Sequence, residues 1–163
     1  MRSVDSTLAI STPATTVEAL YRADADRLWR AVFAFCADPD IASDSVAEAY
    51  AQLIRRGDGV RDAQAWTWRT AFVLARGALK GRSRAPMALP QADTHMDRYG
   101  DPDLLAALAR LPAGQRAALV LFYYADLPVG EIASRLGSNS LVVRANLSRG
   151  RRRLRSLLGE QNG

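Results

Sequence analysis

At 163 residues with 48% hydrophobic side chains, the chain can bury one ordinary core or two small helical ones, and its composition excludes disorder. A net charge of +5 and an isoelectric point of about 10.0 point to an acidic partner. The longest apolar run, Ala117 to Ala125, falls short of the roughly 18 residues that span a bilayer, and a lone cysteine and a lone histidine exclude an intrachain disulfide and a zinc site.

The opening MRSVDSTLAISTPATT (1–16) has only a brief apolar patch and an acid at Asp5, unlike a secretory signal, and reads as a frayed tail. From Val17 to Ala37, the residues Leu20, Tyr21, Ala25, Leu28, Val32 and Phe35 recur at helical spacing, with Asp24, Asp26 and Arg27 expected on the outer face. Cys36 lies among Phe33, Phe35 and Ala37 and reads as a small core residue. A break at Asp38–Asp40 precedes a second helical pattern, Ile41 to Arg56, which buries Ile41, Val46, Ala49, Tyr50, Leu53 and Ile54. Its outer side carries Asp44, Glu48 and Gln52 in a row of fours. Gly57, Asp58 and Gly59 form a turn. Gln64 to Lys80 forms a third helix, in which Trp66 and Phe72 read as core. Trp68 beside Arg69, Arg76 and Lys80 supplies the other combination, an aromatic face among cations, which suits an unstacked base.

Between Gly81 and Pro102 the composition turns to proline, glycine and scattered charge, and residues 85–102 read as a flexible linker. His95 lies inside it without a ligand set. Leu104, Leu105, Leu108 and Leu111 then begin a new helix after an Asp103 cap. Pro112 opens the next, in which Leu119, Val120, Phe122 and Tyr123 are expected in the core. The fold class is therefore all-α: two small helical domains, 17–84 and 103–159, with a short tail at 160–163 and no strand pattern or fixed repeat.

The last segment, LPVGEIASRLGSNSLVVRANLSRGRRRLRSLL, reads as a helix-turn-helix. A short helix opened by Pro128 carries Ile132 and Leu136 and ends at Gly137. Ser138, Asn139 and Ser140 lead into a second helix with Val143, Leu147, Gly150 and Leu154 on one side. From Gly137 to Leu158 there are six arginines and no carboxylate, against 16 basic and 17 acidic residues elsewhere. Such a helix suits a polyanion, whose counterions it would release. Ser140, Leu141, Arg144, Ser148 and Arg149 lie near the turn as candidates for base edges and adjacent phosphates, while Arg151, Arg152, Arg153 and Arg155 lie further along, suited to phosphates or acidic protein. No catalytic constellation is present, so an enzyme is not expected, nor a metal or other cofactor.

From Val17 to Leu158 the chain resembles the extracytoplasmic-function sigma factors of bacterial RNA polymerase, sigma-70 family. LPAGQRAALVLFYYADLPVGEIASRLG is similar to the opening of region 4, ALYRADADRLWRAV to the first helix of region 2, and SDSVAEAYAQL to the acidic helix that grips the polymerase clamp. The resemblance implies a cytoplasmic initiation factor, monomeric when free, whose partners are core RNA polymerase, double-stranded promoter DNA and an anti-sigma factor. It gives Asp44 and Glu48, with Gln52 next in their row, the polymerase contact; within that frame the residues themselves offer Ser140, Leu141, Arg144, Ser148, Arg149, Arg151 and Arg152 as minus-35 candidates and Trp68, Arg69, Arg76 and Lys80 as minus-10 candidates. Region 2 diverges: Val73 and Gly77 stand where the family usually has asparagine and aspartate, Ala47 replaces a glutamine and Ile54 a tryptophan. In the recognition helix Asn146 replaces a common arginine. The alternatives are a sigma-like interaction module that binds polymerase or a regulator without opening DNA, and a freestanding helix-turn-helix repressor, which requires a homodimer.

Overall fold

The computed structural model describes residues 13–82 and 101–161. Helix α1 (Pro13–Cys36) starts four residues before the expected Val17. It ends where Ala37 takes a positive φ of 52° and Asp38 caps α2 (Pro39–Arg56), accepting from the backbone N–H groups of Asp40 and Ile41. The Asp38–Asp40 break is thus a cap with Pro39 in the first helical turn, where a missing N–H is harmless. A short 3₁₀ turn (Gly57–Gly59) leads to α3 (Ala63–Gly81), capped by Asp62.

The second half begins with α4 (Pro102–Ala109), whose cap is Asp101 rather than the expected Asp103: the Asp101 carboxylate accepts from the Asp103 N–H at 2.9 Å. Helix α5 (Ala113–Leu119) runs into a π-helical turn (Val120–Tyr124), closed by the Ala125 N–H on the Val120 carbonyl. The wider turn changes the register, so Val120 and Leu121 stay buried while Tyr123, expected in the core, is 60% exposed. Helices α6 (Val129–Leu136) and α7 (Ser140–Gln161) follow, and α7 takes in the first two residues read as a tail, Glu160 and Gln161.

Helices α1 to α3 pack on one another, and α4 to α7 do the same. One contiguous set of buried side chains then joins both units: Phe35 and Phe72 from the first, Leu108, Ala117 and Ile132 from the second. Arg27 of α1 donates to the Ala125 carbonyl beyond the π turn, and α3 lies directly on α6. The residues expected to link the two units, 85–102, lie almost wholly outside the described residues, as does His95.

Several surface expectations are corrected. Asp24 is buried rather than on the outer face, because Trp68 donates its indole N–H to it at 2.6 Å. Ile54 and Tyr21, expected inside, are 59% and 52% exposed and flank an open groove between α1 and α2. Cys36 is buried as expected, its Sγ 3.3 Å from the Asp38 carbonyl.

Candidate nucleic-acid interface

The corner between α6 and α7 depends on Gly137. It takes the left-handed conformation (φ 63°, ψ 39°) that ends α6, and the next N–H, from Ser138, returns to the Ala133 carbonyl at 2.8 Å. Asn139 then caps α7, accepting from the Val142 N–H at 3.0 Å. Val143, Leu147 and Leu157 are buried, and Gly150 lets α7 approach α5: a β-carbon there would lie 3.0 Å from Leu119 Cδ1.

On the opposite side, Leu141 (77% exposed), Arg144, Ser148, Arg149, Arg152, Arg153 and Arg155 face solvent, while Ser140 is half-buried. Six of the seven expected minus-35 residues are thereby brought to one end and side of the helix-turn-helix. Arg151 is the exception. Its guanidinium lies over Phe122 and Tyr123, 5.6 and 5.8 Å from the ring centroids, so it rims an apolar groove instead of joining the outer face. Arg110, which no sequence pattern singled out, caps α4 and shares a groove with Arg149, Arg152, Arg153 and Glu160. Nothing in the local pattern marks it, since only the packing of α4 on α7 makes it a neighbour of those arginines.

Of the α3 residues expected to meet minus-10 DNA, Trp68 is turned inward, while Arg69, Arg76 and Lys80 are exposed. Trp68 is fully buried, its indole N–H held by Asp24 and its ring under the guanidinium of Arg135 at 4.7 Å, with Arg27 at 5.8 Å. In this arrangement Trp68 lies in the seam between the two units. Arg69 reaches across that seam so closely that a β-carbon on Gly137 would fall 2.8 Å from the Arg69 guanidinium carbon. Arg76 and Lys80 are exposed, and so is Val73, at 62%. Arg135 and Arg116, unremarked in the sequence, are both buried. Arg116 donates to the Ala109 carbonyl and lies over Phe35, and burial lowers its pKa.

On α2 the acidic row forms as expected, but unevenly. Gln52 and Arg55 both donate to Glu48 Oε1, at 3.0 and 2.8 Å, and these hydrogen bonds hold its carboxyl below the usual range, Gln52 contributing most. Asp44 is exposed, with no partner among the described residues. Among those residues there is no group of three metal-ligating side chains, and no helix is long and apolar enough to cross a membrane.

The fold is a helix-turn-helix with an arginine-covered second helix, packed on a three-helix unit. Residues 102–154 match the family model for sigma-70, region 4. The chain is 28% identical over 159 residues to the ECF RNA polymerase sigma factor SigE of Mycolicibacterium smegmatis, covering 88% of this chain and 62% of that protein, so it spans less than two thirds of its relative's length. It superposes on the sigma factor RpoE of Bartonella quintana, solved with the anti-sigma factor NepR, with a TM-score of 0.73 at 21% identity, over 87% of this chain and 96% of the other. For CnrH, solved with the cytosolic domain of CnrY, the TM-score is 0.67 at 19% identity, over 90% of each chain. The chain is thus similar in sequence to an extracytoplasmic-function sigma factor, matches sigma-70 region 4 over residues 102–154, and shares the fold of the solved RpoE and CnrH.

Proposed function

We propose that the chain is a transcription initiation factor, non-catalytic and cytoplasmic, that joins core RNA polymerase and directs it to promoters. The observation that carries this reading is the Gly137 corner, which presents Leu141, Arg144, Ser148 and Arg149 from the solvent side of α7. In that reading Arg144 and Arg149 reach base edges or adjacent phosphates of a minus-35 element, Leu141 touches a thymine methyl group, and Arg152 neutralises backbone phosphates. Asp44, with Glu48 and Gln52 beside it, meets the polymerase. Minus-10 contact by Trp68, Arg69, Arg76 and Lys80 requires the two helical units to separate first. The test is reconstitution of the purified chain with core polymerase: a stable complex and promoter-dependent transcripts are expected, and absence of both removes the reading.

An anti-sigma factor is a further partner in this reading, since the solved RpoE, which shares this fold, is bound to the anti-sigma factor NepR. One observation favours the second reading, an interaction module that does not open DNA: the burial of Trp68. Arg144→Ala with Arg149→Ala separates the two. Loss of sequence-selective binding and of transcripts supports the initiation factor, whereas unchanged activity with intact partner binding supports the module.

A further inference from the structure

Between α3 and the second unit lies a cavity of about 200 Å³, lined by Arg69 and Arg76 from α3, Arg135 from α6, Ser138 at the corner and Asn146 from α7. None of its lining residues is a carboxylate. Neither Arg69 nor Arg76 has a hydrogen-bond or ion-pair partner among the described residues. Arg135 is 6% exposed. Its Nη2 donates to Glu131 at 3.2 Å, but its Nη1 is buried with no partner. Three guanidiniums thus surround a recess with no carboxylate in its lining: Arg69 and Arg76 are unpaired, and Arg135, though paired with Glu131 through Nη2, holds its Nη1 donor buried and unsatisfied. Both conditions oppose closure of the seam, by like-charge repulsion and by the cost of an unmade hydrogen bond. An oxyanion relieves both. Phosphate is suited to guanidinium forks, and Ser138 and Asn146 supply neutral donors on the other wall.

We propose that this cavity is a binding site for a small phosphate-bearing ligand of about pyrophosphate size, held by Arg69, Arg76 and Arg135. Because its walls come from both units, the ligand binds only when they are packed together and therefore holds them closed, with Trp68 covered. A recess of this volume is too small for a duplex, and it shares no residue with the exposed arginines of α7. The inference does not rest on the initiation-factor reading, as its test contains neither DNA nor polymerase.

The experiment is calorimetric titration of the full chain with inorganic pyrophosphate at fixed ionic strength. One-to-one saturable binding is expected, with at least a tenfold loss of affinity in Arg69→Gln and in Arg76→Gln. Both positions are exposed, so circular dichroism should show an intact fold. Arg61→Gln, a surface arginine of the first unit outside this cavity, should bind like the parent chain. Retained binding in both cavity variants overturns the proposal, as does an equal response to sodium chloride, which would reduce it to general screening. Tighter binding of an oligoglutamate peptide than of pyrophosphate also overturns it, assigning the guanidiniums to an acidic partner protein.

Discussion

Trp68 is the largest fully buried side chain among the described residues, and it packs within the first unit while lying against Arg135 of the second. Trp68→Phe keeps the ring under Arg135 but leaves the buried Asp24 carboxylate without its donor. A loss of about 1–3 kcal/mol in urea unfolding is expected. Gly137 answers to two constraints, a positive φ and the Arg69 guanidinium. Gly137→Ala should cost roughly 1–2 kcal/mol from the backbone alone, and arginine displacement should add to it. Cys36 titrates late: burial pushes its thiol up from 9.0 to about 11. Its contribution is complete below the unfolded-state value and is lost as pH rises from about 9 to 11, because only the unfolded thiol ionises readily in that window. Burial raises the Tyr50 hydroxyl pKa as well, with Asp24 and Tyr21 adding to the shift. Stability measured against pH should fall on the alkaline side, and Cys36→Ala should flatten the first part of that fall by on the order of 2 kcal/mol.

At the scale of the element, α7 has two working sides. Arg144 and Arg149 face solvent while Arg151 lies over Phe122 and Tyr123, so their alanine variants should behave differently. Replacing Arg144 or Arg149 should weaken duplex binding, and where the lost contact is a phosphate, lower the slope of log affinity against log salt by about 1. Arg151→Ala should leave that slope nearly unchanged. The side facing the core was legible in the sequence, because Val143, Leu147 and Gly150 follow the helical repeat. The partition of the arginines was not. That depends on the π turn, whose altered register sets Phe122 and Tyr123 beside Arg151, and no composition or spacing rule in Val120–Tyr124 announces an extra residue per turn.

Over the whole molecule, the seam decides which surfaces are available. Arg27 ties α1 to the Ala125 carbonyl, and Arg135 covers Trp68 from the other unit. Arg27→Ala removes a charge-assisted hydrogen bond of about 1.5–3 kcal/mol. Small-angle scattering should then show an expanded chain with unchanged helix content. Acrylamide quenching of the buried tryptophan should rise in parallel. Core polymerase should increase that quenching in the parent chain if the minus-10 face is used.

Periodicity, caps and charge suffice for seven α-helices among the described residues and for a basic helix at the end, because these features are local: 3.6-residue spacing, an Asx cap, a left-handed glycine and six uncompensated arginines can each be read within a few turns. Buried Asp24, sealed Trp68, buried Arg135 and the unpaired Arg69 and Arg76 guanidiniums at the cavity were decided only when distant segments met. A polar side chain becomes tolerable inside a protein through a partner that can lie dozens of residues away, and pattern along the chain contains no record of that partner.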